Sequence, residues 1–351
     1  MKRIFVIVWL IAFFTGCTNE KAHEVGVIIP LSGSYSDVGH WMQMGIDLAV
    51  EDLRAQYGIS IVPVYEDSQS SPNKAISAYQ KLKTIQRINE YISTVSSVCL
   101  ALKPIVNKDG TFLFLNAGHK DLIEKNINNI YRHALTIPQE AIFLSEQIKK
   151  QERTVTRIAI LYTNNDIGSE FADVFETQFS PFGVIINKIQ YEEHDNNLKN
   201  TVRKLVELDP GIVVIYGYTK NFAPLIKTIR EQNYHGRIYA NQGFSTPSVI
   251  QNTGEAGNNV FYSDYDIPNS NEIIALNKRS VEKYGEVLSP MSIASYNIMY
   301  MLGTAILDVK NGNSENVSMY MNNLQQYDIN GMHLVIKGGE VYVPLKLVEN
   351  K

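Results

Sequence analysis

The chain has 351 residues, of which 44% are hydrophobic and 19% are charged, and its formal net charge is −4. These proportions are typical of an ordinary globular protein. The acidic balance argues against a nucleic-acid partner, because a polyanion calls for a basic surface. The length exceeds what one hydrophobic core usually holds, so two lobes are predicted.

The N-terminus has the layout of an export signal. Two basic residues precede an unbroken apolar run over 4–14, which is shorter than the roughly 20 residues of a membrane-spanning helix. Small residues then precede Cys17, an arrangement that resembles the lipobox of bacterial lipoproteins, in which the cysteine is acylated. We therefore predict a lipoprotein signal peptide over 1–16, a lipid anchor on Cys17 and a tether over 17–23. An ordinary cleaved signal is the alternative.

The first half of the remaining chain alternates short apolar runs with amphipathic segments. The runs are typical of buried strands, and apolar residues that recur on one helical face indicate helices. Ser71 followed by Pro72 matches a helix start, because proline is favoured at the first helical position. The predicted strands cover 25–30, 59–65, 92–95 and 111–115, and the predicted helices cover 40–56, begin at 72 and cover 98–107.

A second alternating series begins at Arg157. Its predicted strands cover 158–163, 184–191, 212–217, 238–240 and 260–263, with helices beginning near 169, 198, 221 and 246. Strands that alternate with helices of this length form parallel sheets through right-handed crossovers, so the two series predict two α/β lobes. The chain from 273 onward is mostly helical and ends in a predicted hairpin that turns at Gly338-Gly339.

The two halves share one short echo. Asp37-Val38-Gly39 and Asp166-Ile167-Gly168 each lie between a predicted strand and a predicted helix. Aspartate at this place can cap a helix, and glycine permits unusual backbone angles. The echo is a weak sign of an internal repeat.

Several motifs, in order along the chain, resemble those of type I periplasmic solute-binding proteins, in particular the branched-chain amino-acid-binding (ANF-receptor-like) group. They are GVIIPLSGSYSDVGHWMQMGIDLAVEDL (26–53), SPNKAISAYQKL (71–82), STVSSVCLALKPIV (93–106), FLFLNAGH (112–119), IYRHALT (130–136), AILYTNNDIGSE (159–170), IVVIYGY (212–218) and SYNIMYMLGTAI (295–306). The resemblance covers nearly all of the chain after the signal. It implies an α/β fold with two doubly wound parallel-sheet lobes, joined by a hinge of three chain crossings.

The family architecture places these crossings near Thr136, Asp264 and Ile329. The expected first lobe is 24–136 plus 266–328, and the expected second lobe is 137–265 plus 329–351. Proteins of this kind bind solute between the lobes by hinge closure. That location agrees with the rule that open parallel sheets bind ligands beyond the carboxyl ends of their strands.

Two segments of the first lobe are candidates for holding a carboxylate. Ser96 and Ser97 follow a strand and open a helix, where amides, hydroxyls and the helix dipole suit an anion. The resemblance implies the same role, while plain capping by serine is the alternative. Asn116 and Ala117 end the next strand, and His119 stands where the family usually has a hydroxyl. His119 could donate to a carboxylate or stack on a flat ligand; a surface histidine is the alternative.

The resemblance also assigns residues to the rim of the cleft. Tyr35 and Val38 lie in the first loop and would border the cleft from the first lobe. In the second lobe, Ile167 falls where the family often has an aromatic residue. Tyr218 or Thr219 follows the 212–217 strand, and Tyr218 could cover the solute with its ring. A buried structural tyrosine is the alternative.

Gln242 is a departure from the family pattern. Amino-acid-binding relatives have an acidic residue here that pairs with the ammonium group of the ligand, and a buried ammonium without a countercharge is costly. Asp264 or Asp266 could substitute for that acid. Otherwise the solute lacks an ammonium group, as an organic acid, an aromatic carboxylate or an amide would.

No spacing in the sequence indicates an enzyme. The seven histidines form no zinc motif, no phosphate-binding loop or dinucleotide fingerprint is present, and Cys99 lies in an apolar helical stretch. We expect no metal and no cofactor.

The predicted function is that of an extracytoplasmic solute-binding lipoprotein in the periplasm or on the cell surface. Its expected partners are a small solute, the permease subunits of an ABC importer and a bacterial membrane, reached through the lipid on Cys17. The alternative is a sensing or partner-regulating lipoprotein of the same fold that does not serve transport. Neighbouring genes would separate the two, because permease and ATPase genes favour import.

Overall fold

The computed structural model describes residues 22–124, 126–192, 198–342 and 344–351. The predicted signal peptide and Cys17 lie outside these residues. Strands and helices alternate in the predicted order within both series, but the pattern predicted neither the strand Ile130–Arg132 nor the helix Ile137–Gln151, which lie between the series.

The first series of elements runs from β1 to β5 and has the following bounds: β1 (His23–Ile29), α1 (Ser36–Tyr57), β2 (Ile61–Asp67), α2 (Pro72–Lys81), β3 (Glu90–Thr94), α3 (Ser96–Asp109), β4 (Phe112–Asn116) and β5 (Ile130–Arg132). The first strand thus begins at His23, which the sequence analysis assigned to the tether. The helix predicted over 40–56 is longer at both ends.

The second series runs from α4 to β10: α4 (Ile137–Gln151), β6 (Arg157–Thr163), α5 (Asp166–Phe179), β7 (Ile185–Tyr191), α6 (Leu198–Glu207), β8 (Ile212–Tyr216), α7 (Thr219–Glu231), β9 (Arg237–Ala240), α8 (Pro247–Thr253) and β10 (Val260–Tyr265). The last elements are α9 (Asn271–Tyr284), α10 (Pro290–Lys310), α11 (Val317–Asn323), β11 (Gln326–Ile329), β12 (Met332–Lys337), β13 (Glu340–Tyr342) and β14 (Leu345–Asn350).

The strands form two sheets, one for each lobe. The first has the order β11-β12-β13-β5-β4-β3-β1-β2, and the second has the order β14-β10-β9-β8-β6-β7. Strands β1 to β5 are parallel, and so are β6 to β10. In both sheets the chain winds first to one side and then to the other. The order therefore reverses between β1 and β3 in the first lobe and between β6 and β8 in the second, which is the doubly wound topology expected from the sequence.

Each sheet is covered by helices on both faces, which explains the continuous apolar runs in its strands. In β1, Val25, Val27 and Ile29 pack toward α1 and α10, while Ile28 faces α2 and α3. In the second lobe, α4 and α5 cover one face, and α6, α7 and α8 cover the other. The two lobes therefore have separate hydrophobic cores.

The chain crosses between the lobes three times, and hydrogen bonds join the crossings. The Leu135 N–H donates to the Tyr265 hydroxyl over 2.8 Å, which links the first crossing to the second. The Asp266 N–H donates to the Pro344 carbonyl over 2.8 Å, which links the second to the third. Hydrogen bonds thus connect all three crossings of the hinge.

The third crossing lies between β13 and β14, so the prediction that placed it near Ile329 and assigned 329–351 to the second lobe was wrong. The predicted hairpin is present as β12 and β13, but β13 pairs with β5 of the first sheet. Alternate residues of the hairpin, among them Leu334, Ile336 and Val341, pack into the first core. This burial holds the hairpin in the first lobe, and only β14 joins the second sheet.

The echo between the two halves has a structural cause. A Cβ atom on Gly39 would lie 1.9 Å from the Pro30 carbonyl oxygen, and one on Gly168 would lie 2.1 Å from the Thr163 carbonyl oxygen. In both lobes the first turn of a helix thus packs directly on the end of the preceding strand. Asp37 lies in the first turn of its helix and does not cap it.

Candidate functional site

The loop between β1 and α1 is held at the edge of the cleft by Asp67, at the end of β2. Its carboxylate accepts hydrogen bonds from the Leu31 N–H (2.8 Å), the Ser32 N–H (3.3 Å) and the Ser32 hydroxyl (2.6 Å). Burial alone would raise the pKa of Asp67, but these bonds and one from a further backbone N–H outweigh it and lower the pKa to about 2. An ionised Asp67 therefore fixes the loop that carries Tyr35 and Val38.

Helix α3 starts at the carboxyl end of β3 with a strained residue. Val95 occupies the cap position with φ 68° and ψ 115°, a region that β-branched residues rarely adopt. Such strain costs about 1–3 kcal/mol and is common at binding sites. Among the described residues no side chain caps this helix, and Ser96 and Ser97 are its first two residues. Capping by these serines is therefore excluded, and the positive end of α3 is open to the cleft.

Two buried polar atoms beside this helix start have no hydrogen-bond partner in the described part of the chain. They are Asn116 Nδ2, at the end of β4, and Ser70 Oγ, in the loop after β2. Asn116 is only 6% exposed, and its backbone carbonyl accepts a hydrogen bond from Thr94. Buried polar groups are nearly always satisfied, so each such atom needs an explanation. Both residues line one cavity of about 430 Å³, together with Ser96 and Ser97.

The second lobe presents matching helix starts. The side chain of Asn165 caps α5 by accepting from the Gly168 N–H (2.9 Å), which places Ile167 at the cleft. Asn165 Nδ2 also donates to the Tyr218 hydroxyl over 3.3 Å. Tyr218 occupies the position before α7, and Thr219 is the first residue of that helix. The carboxyl ends of β6 and β8 thus supply the second wall.

The two walls enclose a cleft between the lobes. A wider cavity of about 1120 Å³ adjoins the smaller one, and both have residues of both lobes in their walls. Ligand sites of small-molecule binding proteins usually measure roughly 300–1,000 Å³. The residues that line both cavities are Tyr35, Val38, Ser96, Gly118, Leu135, Ile167, Tyr218 and Gln242. Five of them follow strands at the two points where strand order reverses, where open α/β sheets bind ligands; Gly118, Leu135 and Gln242 follow other strands.

Most of the residues predicted from the sequence line this cleft, but two do not. Ser97, Asn116 and Ala117 line the smaller cavity, and Thr219 lines the wider one. His119 lines neither: its ring nitrogen Nδ1 accepts from the Asp121 N–H (3.2 Å), so the side chain caps the following turn. This local bond turns the imidazole away from the role that the resemblance assigned to it.

Asp264 is the second predicted residue that lies outside the cleft wall. Its carboxylate accepts from the Tyr265 N–H over 2.9 Å and from the side chain of Gln242. Burial raises its pKa, with these hydrogen bonds and Lys346 opposing the shift. Gln242 therefore stands between Asp264 and the solute space.

A buried acid that the sequence analysis missed lies in the wall of the wider cavity. Glu140, on α4, is 4% exposed, and its Oε1 accepts from the Gln242 N–H (2.6 Å) and from the Ser263 hydroxyl. Burial raises the pKa of Glu140 to about 7; these two hydrogen bonds oppose the rise and the charge of Asp264 adds to it. A signal was present in the sequence, because Glu140 interrupts the apolar face of its helix.

Cys99, the cysteine of the described residues, lines neither cavity. Burial raises the pKa of the Cys99 thiol to about 12, and the residue is fully buried in the first core. Within the described ranges, no cluster of His, Cys, Asp and Glu side chains has the arrangement of a metal site. No described helix combines the length and the hydrophobicity needed to cross a membrane.

Comparisons with known proteins agree with this architecture. The sequence model of a family described as periplasmic binding protein matches residues 23–340. The Leu/Ile/Val-binding protein homolog 3 of Brucella melitensis is 21% identical over 230 residues, which cover 63% of this chain and 61% of that relative.

Two solved structures share the fold at low sequence identity. A branched-chain amino acid transporter substrate-binding protein of Streptococcus pneumoniae, in complex with isoleucine, has a TM-score of 0.75 at 18% identity, over 94% of this chain and 100% of that chain. A solute-binding protein of an ABC transporter from R. palustris, in complex with benzoate, has a TM-score of 0.81 at 18% identity, over 94% and 93% of the two chains.

Proposed function

The chain belongs to the periplasmic binding protein family, and from this premise we propose that it captures a small carboxylate-bearing solute between its lobes for an ABC importer. The solute is an amino acid or a related organic acid or amide. The capture is non-enzymatic. The chain is delivered by its signal over 1–16 and anchored to a bacterial membrane by a lipid on Cys17, in the periplasm or on the cell surface.

One observation carries the proposal: the unpartnered Nδ2 of Asn116 lies in the same cavity as the uncapped start of α3. An amide donor, the hydroxyls of Ser96 and Ser97 and the positive end of a helix together suit a carboxylate. When an anion binds, these groups form the hydrogen bonds that the protein itself does not supply. Neutral apolar solutes would leave them unsatisfied.

Closure of the hinge supplies the mechanism. A solute held by the first lobe gains further contacts from Ile167, Tyr218 and Gln242 only when the second lobe approaches. Such differential contact shifts the population toward the closed state. The closed form is then the one that permease subunits distinguish from the empty receptor.

The experiment is a thermal-shift screen of the chain without residues 1–17. The panel contains amino acids, aliphatic and aromatic carboxylates, and amides. A solute at a hundredfold excess over its dissociation constant stabilises the fold by about 2.7 kcal/mol, which raises the Tm by several degrees. We expect such a shift for one class of carboxylate.

The variant Asn116→Asp tests the site, because it places a negative charge where the carboxylate is expected. It should abolish the shift, whereas Asn128→Asp, on an exposed part of the same lobe, should retain it. A panel in which nothing raises the Tm of a folded protein would contradict capture and would favour the partner-regulating alternative.

A further inference from the structure

Glu140 is fixed at the wall of the cleft by the start of its helix. Thr136 and Gln139 form a reciprocal capping box that sets the first turn of α4. Glu140 follows on the same face as Ile137 and Leu144, which are buried in the second core. Its carboxylate accepts two hydrogen bonds that hold it in place, and the residue lines the wider cavity.

The protein supplies hydrogen bonds to this carboxylate but no countercharge. Both observed donors, Ser263 Oγ and the Gln242 N–H, reach the same oxygen, Oε1. No ion pair joins Glu140 to a cationic side chain within the described residues. Lys220 and Lys227 line the same cavity, but neither is among the groups that affect the pKa of Glu140.

The ionisable groups packed around Glu140 are acidic or phenolic. Asp264 on β10 adds to its raised pKa, and the pKa values of Tyr216 on β8 and Tyr265 on β10 are raised by burial and by the charge of Glu140. Glu170 on α5 also acts on Tyr216. Basic groups act on these neighbours but not on Glu140: Lys346 on β14 acts on Asp264, and Arg132 on β5 acts on Tyr265. A buried carboxylate in such surroundings is costly unless a cation compensates it.

We infer that Glu140 determines specificity by pairing with a positively charged nitrogen of the solute, which makes the solute a zwitterion such as an α-amino acid. This inference rests on the proposed capture of a carboxylate. The donors of the first lobe, Asn116 and the start of α3, hold the solute's carboxylate, and Glu140 receives its ammonium from the second lobe. Gln242, which lines both cavities, lies between the two charged ends.

The affinity for solute should depend on pH, in a direction set by whether the solute carries a cation. Burial raises the pKa of Glu140 to about 7 in the free protein. An ammonium group binds the ionised carboxylate, so the affinity for an amino acid increases as the pH rises through 7. A solute without a cation requires the protonated carboxyl, so its affinity decreases over the same range.

The experiment uses matched pairs of probes that differ only in the ammonium group. L-Isoleucine is paired with 3-methylpentanoate, and L-phenylalanine with 3-phenylpropanoate, in calorimetric titrations from about pH 5.5 to about pH 8.5. At about pH 8.5 the amino acid of at least one pair should bind, and its deaminated partner should bind at least about a hundredfold more weakly, because the ionised carboxylate of Glu140 would be left unpaired. Glu140→Gln should weaken amino-acid binding by a similar factor.

Glu146→Gln is the matched control, because it removes the same charge from an exposed position of α4. Its binding should equal that of the unmodified protein. Equal affinity for both members of a pair, or unchanged binding by Glu140→Gln, would overturn the inference and leave capture intact. If none of the amino acids, carboxylates and amides binds, capture itself fails, and the inference fails with it.

Discussion

His133, at the first crossing, is a buried titratable residue with both ring nitrogens in use. Its Nδ1 donates to the Val341 carbonyl (3.1 Å), and its Nε2 accepts from the Asn297 side chain (3.3 Å). This arrangement requires the neutral imidazole. Burial lowers the pKa of His133 to about 4, and the bond to Val341 only partly opposes it. His133 and Glu140 therefore both favour their uncharged forms, although one is a base and the other an acid.

The two residues give the free energy of unfolding opposite dependences on pH. Between about pH 6.5 and 4, the unfolded chain protonates His133 while the folded protein does not, so stability is lost as the pH falls. Between about pH 4.5 and 7, the folded protein keeps a proton on Glu140 that the unfolded chain has released, so stability is lost as the pH rises. Each contribution is roughly 3 kcal/mol when complete.

We predict that Glu140→Gln makes the protein gain stability as the pH rises from 4.5 to 6.5, and that His133→Gln does the reverse. The physical reason is that each substitution removes one of two opposing proton linkages. Urea denaturation of the solute-free protein at several pH values measures the effect. Parallel pH profiles for the two variants would contradict the assignment of these groups.

Some residues of the candidate site could be predicted from the sequence, and others could not. Ser96, Ser97 and Tyr218 could be placed beside the cleft because each directly follows the carboxyl end of a strand in one of the two parallel sheets. Glu140 was overlooked because an acidic residue in the first turn of a helix is ordinary. His119 was predicted to contact the ligand, but no pattern reveals that its side chain bonds to the backbone two residues ahead. Local bonds of this kind depend on coordinates and not on spacing.

At the scale of elements, the first lobe depends on the close contact of α1 with α10. Gly45 makes it possible: a Cβ atom there would lie 1.9 Å from the Ser292 carbonyl oxygen and 2.8 Å from the Tyr296 nitrogen. Both of those atoms belong to the backbone of α10, so no side-chain rotation can relieve the clash. The helices would have to move apart.

We predict that Gly45→Ala destabilises the protein by about 1–3 kcal/mol, the usual cost of overpacking a core. The sign is informative, because glycine to alanine inside a helix normally stabilises by about 0.5–1 kcal/mol. Gln43→Ala, on a partly exposed position of the same helix, should stay within about 0.5 kcal/mol of the unmodified protein. Denaturant unfolding measures the free energy of unfolding of both variants. Stabilisation by Gly45→Ala would contradict the prediction, because it would mean that α1 and α10 can accommodate the added methyl group.

The order of elements within the two series followed from hydrophobic periodicity, but β5, α4 and the sheet to which the last hairpin belongs did not. The alternation in β12 predicts a strand with one buried face, yet it says nothing about which sheet accepts that strand. Strand β13 is attached to the first sheet by the backbone pairing of Glu340 with Arg132 and by the bidentate ion pair between the same two side chains. These contacts join residues more than two hundred positions apart in the chain, beyond the reach of a local pattern.

At the scale of the whole molecule, the lobes also touch across the mouth of the cleft. The rings of Tyr35 and Tyr218 meet edge to face, with centroids 6.5 Å apart. Lys120 Nζ lies 3.9 Å from a carboxylate oxygen of Glu170. The ring contact is formed by helix starts at the two points of strand reversal, so the elements that line the cleft also bring the two lobes into contact.

We predict that Tyr35→Ala weakens solute binding on the order of tenfold, because an aromatic pair contributes about 0.5–1.5 kcal/mol beyond its buried area and this pair exists only when the lobes approach. The probe is whichever solute raises the Tm in the screen. Small-angle scattering should show that this solute makes the unmodified protein more compact and changes the variant less. The reason is that a less stable closed state lowers both the affinity and the closed population.

Tyr57→Ala is the control for that experiment. Tyr57 ends the same helix that begins beside Tyr35, and its ring meets Tyr300 at 6.4 Å on the far side of the lobe. A helix of 22 residues spans roughly 33 Å, which places Tyr57 far from the cleft. Tyr57→Ala therefore removes a comparable ring contact without changing the cleft. Equal losses of affinity in the two variants would mean that α1 acts through the stability of its lobe. A loss confined to Tyr35→Ala would place part of the binding free energy in the contact between the lobes.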